Sequence, residues 1–212
     1  MTSTPATQPS ITQPVTLANA FARLELLSQS HCADLQAAVG DLHTLWYTWV
    51  PTPAKMAAEI DRRLGLYAKG VMLPFAAIDP ATGKAMGMTT FMNVDSVQQR
   101  LEIGSTWTGV AMQRSAFNTA CKHLLLQHAF ETLGCIAVEF RTHRMNTQSR
   151  RSIERIGAQL DGVLRSHMKL PNPAGGAPLI RDTAVYSITA AEWPAVETLL
   201  RHKLQHVSKS TV

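Results

Sequence analysis

The chain has 212 residues, 45% of them hydrophobic and only 17% charged, with 20 Lys and Arg against 15 Asp and Glu for a formal net charge of +5. That is apolar material for one large folded domain, and its 12 Gly and 11 Pro are too few and too scattered for a fibrous or low-complexity chain. The pI near 9.4 permits a nucleic-acid partner without requiring one, and no apolar run approaches the ~18 residues of a membrane span.

Residues 1–14, rich in Thr, Pro and Gln with no basic residue and no apolar stretch, read as a disordered tail and not as a signal peptide. Residues 15–27 read as extended, with Phe21, Arg23, Glu25 and Leu27 in alternation. Ser28 or Ser30 caps a short helix through Val39, and Thr52-Pro53 starts a second through Tyr67. A strand over 73–78, a turn over 79–84 and a strand over 85–94 form a hairpin, followed by a third strand over 100–107. From 116 to 133 the apolar residues fall in i+4 rows (Phe117, Cys121, Leu125, Ala129, Leu133), an amphipathic helix closed by Gly134. A short strand over 135–140, a helix capped by Asn146 and closed by Gly157, strands over 158–168 and 182–189, and a helix over 191–204 complete the chain. The order β-α-α-β-β-β-α-β-α-β-β-α predicts one α+β domain over 15–205 with a mixed, mostly antiparallel sheet, and a flexible tail over 206–212.

Three cysteines, Cys32, Cys121 and Cys135, fit neither a CxxC nor a zinc spacing, so free thiols and a reducing, cytoplasmic setting are expected. His123 and His128 are five apart on one helix and do not share a face, so no metal is expected.

Two segments carry chemistry. After the strand ending at Trp107, the stretch Gln113-Arg114-Ser115-Ala116-Phe117-Asn118-Thr119 leads into the long helix. Unsatisfied N–H groups and the helix dipole make such a start receptive to anions, and Arg114 adds a formal charge. An ordinary strand-to-helix turn is the plainer reading of that segment alone. The second segment runs from Thr142 through Asn146, Ser149, Arg151 and Ser152 to Gly157, directly after a short strand.

Together these segments resemble the Gcn5-related N-acetyltransferase (GNAT) superfamily, and within it the RimJ/RimL-type ribosomal-protein acetyltransferase branch. The resemblance rests on Leu101-Glu102-Ile103-Gly104 opening a strand, Trp107 near its end, the 113–119 turn, the Asn146-x-x-Ser149 cap and the order of elements. It implies a central parallel strand pair, 100–107 and 135–140, splayed at a bulge, with the pantetheine arm of acetyl-CoA laid along the free strand edge. The pyrophosphate is then implied on Gln113, Arg114, Ser115, Ala116, Phe117, Asn118 and Thr119. Asn146 is implied against the pantetheine amide, Ser149 near the sulfur, and Trp107 and Thr108 beside the thioester. Arg151 and Ser152 flank the same cleft. A backbone N–H near Trp107 polarises the thioester carbonyl, and a neutral primary amine attacks directly.

The sequence departs from the family at informative places. Ala116 and Asn118 stand at small positions of the phosphate turn, where Asn118 either contacts a phosphate or narrows the turn. Ile153 stands where many members carry a tyrosine acid, which leaves Ser149 as its replacement. No carboxylate stands near His167, where a RimL-type base is proposed. Glu102 and His167 are therefore the candidate bases, each with a plain alternative as a surface or merely satisfied polar residue. Trp46, Trp49 and Tyr186 are candidates for the acceptor pocket, with core packing as the alternative.

The reading is an acetyl-CoA-dependent N-acetyltransferase acting on a protein N-terminus or a small amine. Its rival is a non-catalytic acyl-CoA sensor or scaffold of the same fold, and a nucleic-acid role ranks third. A homodimer is left open. Residues 136–170 hold seven basic against three acidic residues, a net of +4, so most of the formal charge is expected beside the cofactor cleft.

Overall fold

The computed structural model describes residues 12–170, 172 and 175–209. Along them run β1 (Leu17–Ala18), β2 (Arg23–Leu26), α1 (Cys32–Val39), α2 (Met56–Ala68), β3 (Leu73–Ile78), β4 (Ala85–Asp95), β5 (Arg100–Thr108), α3 (Phe117–Gln127), β6 (Ala137–His143), α4 (Thr147–Arg155), β7 (Gln159–Leu170), β8 (Leu179–Thr189) and α5 (Trp193–Lys209). The strands form one sheet in the order β1-β2-β3-β4-β5-β6-β8-β7, antiparallel except where β5 meets β6. This is the α+β fold with one central parallel pair that the sequence predicts.

Alternation of side chains divides the interior into two cores, one on each face of the sheet. In β3 every residue is buried. Leu73, Phe75 and Ala77 join α3 and α5 in the larger core, whereas Ala76 and Ile78 join α1 and α2 in the smaller. Phe75 and Phe91 meet edge-on at 5.5 Å within the larger core, a favoured aromatic geometry. α3 is buried along most of its length, from Phe117 to Leu126 with only Asn118 half-buried.

Three expectations are corrected. The extended segment 15–27 is two strands, because the Asn19 side chain accepts from the N–H groups of Phe21 and Ala22 and turns the chain into a hairpin. The helix expected over 116–133 is α-helical only to Gln127. Over His128–Thr132 it widens, and Leu133 N–H bonds to the carbonyl of His128, although Gly134 (φ 65°) still ends it. α5 continues to Lys209, so the segment read as a tail from 206 is helical to 209. Residues 1–11 of the tail read over 1–14, and residues 210–212, lie outside the described residues.

Candidate active site

β5 and β6 are paired over only three residues each, Arg100 with Ala137, Leu101 with Val138 and Glu102 with Glu139. Beyond that point β5 continues to Thr108 and β6 to His143 without pairing to each other, so two backbone edges diverge. On its other side β5 pairs with β4, and between the partners Met88–Trp107 and Thr90–Gly104 it carries one extra residue, a bulge. Ser105 in that bulge has φ 48°. Arg63 of α2 holds it from one face: it is buried, donates to the Ser105 carbonyl and the Thr90 hydroxyl at 3.0 Å each, and is neutralised by Glu59 at 2.7 Å. Lys122 of α3 reaches it from the other face and donates to the Thr106 hydroxyl at 3.1 Å.

The turn into α3 leaves donors open. Arg114 adopts φ 61°, Gln113 donates to the Thr108 carbonyl at 3.2 Å, and the Ser115 hydroxyl accepts from Phe117 N–H at 3.1 Å. The backbone N–H groups of Ser115, Ala116, Asn118 and Thr119 have no acceptor among the described residues. They gather at the start of an eleven-residue helix with its dipole behind them. Arg114 and Ser115 are exposed, whereas Ala116, Phe117 and Thr119 are buried, so their side chains build the turn and only their backbone is open to a ligand. Asn118 donates to the Ser152 hydroxyl at 3.3 Å, which ties α3 to α4 across the cleft.

α4 starts where the sequence places it. The Asn146 side-chain oxygen accepts from Ser149 N–H at 3.0 Å as the helix cap, which leaves its NH2 group as the available donor. Ser149 is half-buried, and its hydroxyl has no partner among the described residues. Arg151 is exposed one turn further on.

Glu102 stands at the last paired position of β5. It is 5% exposed, accepts from the Asn93 amide at 2.7 Å and lies 3.4 Å from Arg141. Burial raises its pKa above the ordinary carboxylate value, against the lowering effects of Asn93 and Arg141. Gly104 makes room for it, since a Cβ there would stand 2.6 Å from the Glu102 Oε1. A groove lined by Asn93, Arg100, Glu139 and Arg141 adjoins this carboxylate.

The other candidates divide between the two faces of the sheet. Trp46 is half exposed and stands edge-on to His143 at the end of β6, 5.2 Å between ring centres. Trp49 is also half exposed, beneath the Arg62 guanidinium at 5.9 Å. Neither is the core residue that the alternative reading supposes. Tyr186, by contrast, is completely buried. It lies opposite Phe140 in register, three positions from His143 and so on the other face, with its hydroxyl donating to Glu154 at 2.7 Å and accepting from Arg150 at 2.8 Å. It packs against α4 and does not share a pocket with Trp46. His167 is exposed on β7, the edge strand, with Thr183 at 3.1 Å as its partner. Two strands separate β7 from β5, so His167 and Glu102 are not brought together.

The basic segment is also divided. Arg141 is paired with Glu139 at 2.8 Å, Arg144 with Asp182 at 3.6 Å, and Arg150 with Tyr186, while Arg165 and Lys169 lie on β7. Arg114 is exposed at the turn into α3, and Arg151 and Arg155 are exposed on α4. Among the described residues no group of three His, Cys, Asp or Glu side chains is placed to hold a metal, and no helix is long and apolar enough to cross a membrane.

A strand pair that opens at a bulge, beside a helix start with free N–H groups, can be compared with known proteins. The family model of the acetyltransferase (GNAT) domain matches residues 22–159, well over half of the chain. The chain belongs to the GNAT acetyltransferase family. A search of curated proteins by sequence found no match. Among solved structures, a GCN5-related N-acetyltransferase from Brucella melitensis is 31% identical, with a TM-score of 0.80 over 93% of this chain and 88% of that one. RimJ from Mycobacterium smegmatis, solved in complex with CoA-disulfide, shares the fold at 21% identity, TM-score 0.73, over 92% and 97% of the two chains. The ribosomal-protein-S5-alanine acetyltransferase from Vibrio fischeri shares it at 13% identity, TM-score 0.65, over 84% and 98%. As a member of this family the protein is an N-acetyltransferase.

Four residues that the fold places beside the candidate site of this acetyltransferase escaped the sequence reading: Arg63, Asn93, Lys122 and His143. Arg63 sits four residues after Glu59, a spacing typical of solvent-exposed helix pairs, and nothing in it signals burial. Lys122 did leave a signal, a lysine set among the buried apolar rows of α3. Asn93 and His143 are joined to Glu102 and Trp46 only by tertiary contacts.

Proposed function

We propose that this acetyltransferase uses acetyl-CoA and acts by direct attack of a primary amine, from a protein N-terminus or a small amine, on the thioester. The observation that carries the reading is the three-residue β5–β6 pairing that opens onto a bulge beside the free N–H groups of the α3 start. Ser115, Ala116, Asn118 and Thr119 N–H groups receive the pyrophosphate, with Arg114 and Arg151 as cations at the rim. The Asn146 NH2 donates to a pantetheine carbonyl, and the free β5 edge running to Trp107 and Thr108 receives the extended arm as an added strand. The Ser149 hydroxyl lies along the same arm and offers a hydrogen bond to the sulfur.

The amine enters from the face that carries Trp46, His143 and Glu102. Glu102 is the base. A carboxylate raised by burial sits nearer to neutrality and accepts a proton more readily than an ordinary one, directly or through one water. His167, on the edge strand, does not have that position. The RimJ/RimL-type resemblance of the 101–104 and 146–149 segments makes a protein N-terminus the first acceptor to try. The test is thiol release from acetyl-CoA with a panel of N-terminal peptides and small amines. Saturable release with one acceptor class supports the reading, and acetyl-CoA binding without release by any acceptor defeats it in favour of an acyl-CoA sensor.

A further inference from the structure

Lys122 is the one residue at the bulge whose presence the reading above does not explain. It is 7% exposed on α3, its ammonium donates to Thr106 on the free part of β5, and it faces the Phe140 ring on β6 at 5.6 Å. It therefore bridges both strands of the diverging pair, past their last shared pairing at Glu102 and Glu139. Thr106 in turn shares a 2.8 Å hydrogen bond with Thr89. Among the described residues no carboxylate lies within ion-pair distance of Lys122, whereas Arg63, equally buried at the same bulge, has Glu59. A buried ammonium with one hydroxyl and one ring for company is costly, and folded chains rarely keep one without an anion to meet.

We propose that Lys122 is the proton donor to the coenzyme A sulfur as it leaves, an inference that rests on the acetyl-transfer reading. The amine nitrogen forms the new C–N bond at the thioester carbonyl carbon, the C–S bond breaks, and its electron pair departs on sulfur. The Lys122 ammonium gives that sulfur a proton and becomes a neutral amine, and the proton lost by the acceptor nitrogen is taken up at Glu102 and returned through solvent. The assignment explains how the site works with Ile153, an apolar residue, at the position from which a tyrosine would otherwise serve the sulfur. Ser149, an ordinary hydroxyl, orients the sulfur by a hydrogen bond but is too weak an acid to give up its proton unaided.

Geometry and ionisation agree. Burial lowers Lys122 from the ordinary 10.5 to about 8, within reach of a thiol. The ionisable groups that act on it are the Cys121 thiol, pushed up to about 12 and so neutral, and, from across the sheet, the Glu102 carboxylate, whose charge raises the Lys122 pKa.

The experiment compares the unsubstituted protein with Lys122→Met and Lys122→Arg. Acetyl-CoA binding is measured by calorimetry, turnover across pH 6–10, and ionisation of the thiol of bound coenzyme A by thiolate absorbance. In Lys122→Met we expect binding within about three-fold, kcat lowered about 100-fold, the alkaline limb of the kcat profile lost, and the bound thiol ionising at higher pH. Lys122→Arg keeps the charge but not a transferable proton, so the bound thiol stays acidified while kcat remains low. Parental kcat with a parental pH profile in Lys122→Met overturns the proposal, as does an unshifted bound thiol. Failure of the unsubstituted protein to bind acetyl-CoA overturns the underlying reading instead. Thermal melting of both variants shows that they fold, and Lys122→Arg carries the test should Lys122→Met not.

Discussion

Arg63 and Lys122 approach one bulge from opposite faces of the sheet, both buried and both donating to it, yet among the described residues only Arg63 has a counter-ion. Arg63 meets the face proposed for the acceptor with its charge already balanced by Glu59, and its other hydrogen bonds go to a backbone carbonyl and a hydroxyl that it holds in place. Lys122 meets the face proposed for the cofactor with no carboxylate paired to it among the described residues. The contrast separates two uses of a buried cation. A paired one fixes a shape, and an unpaired one waits for an anion.

The largest effect should come from breaking the paired side. Arg63→Met releases Ser105 and Thr90 and leaves buried Glu59 with Arg62 alone, at 2.7 Å, so a loss of about 1.5–3 kcal/mol, that of hydrogen bonds to a charged group, is expected in chemical denaturation. Lys122→Met should leave stability unchanged or raised, since it removes an unpaired buried charge. Equal losses in the two variants would dissolve the distinction.

Next in size is Glu102→Gln, which keeps the Asn93 contact in shape but cannot accept a proton. With the acceptor that proves active, kcat should fall about 100-fold at neutral pH. The acidic limb of the kcat/KM profile should lie above the ordinary carboxylate range in the parent, because burial raises this pKa, and vanish in the variant. A parent limb at or below that range would return Glu102 to a structural role.

The third test reads the two cations through pH. Lys122 has its folded pKa lowered, so between about pH 8 and 10.5 the unfolded chain binds more protons than the folded one. Stability therefore rises with pH across that window, by at most about 1.4 kcal/mol per pH unit for this group. Denaturation of parent and Lys122→Met at pH 8 and 10 isolates the contribution, which should be absent from the variant. An equal slope in both would show that the charge is not at Lys122.

How far these features could be read before the fold was known depends on how local they are. The 113–119 turn and the Asn146 cap are written in adjacent residues and stand where their segments place them, whereas the parallel pairing of β5 with β6 comes only with the family resemblance. The bulge is implied by the family resemblance but not marked locally, because Ser105 is no glycine and a left-handed serine gives no warning of it. Arg63, Asn93 and His143 belong to the site through contacts between elements far apart in sequence. Tyr186 was misplaced for a different reason. An aromatic residue near a cleft says nothing about which sheet face it takes until register with Phe140 is fixed, and a shift of one position would have put it on the face that carries His143 and Trp46.

The smallest effect separates two jobs within one residue. Asn146 accepts from Ser149 N–H as a helix cap and keeps its NH2 free, so capping and cofactor recognition use different atoms. Asn146→Ala removes both and should cost about 1 kcal/mol of stability along with acetyl-CoA affinity. Asn146→Asp keeps the accepting oxygen and removes only the donor, so stability should hold while acetyl-CoA binding weakens about ten-fold, the loss of one well-placed hydrogen bond. Ser149→Ala leaves the cap untouched and should act mainly on kcat, by a few-fold, because Lys122 still supplies the proton. If Asn146→Asp binds acetyl-CoA as the parent does, the free NH2 group has no part in the cofactor face, and Asn146 serves α4 alone.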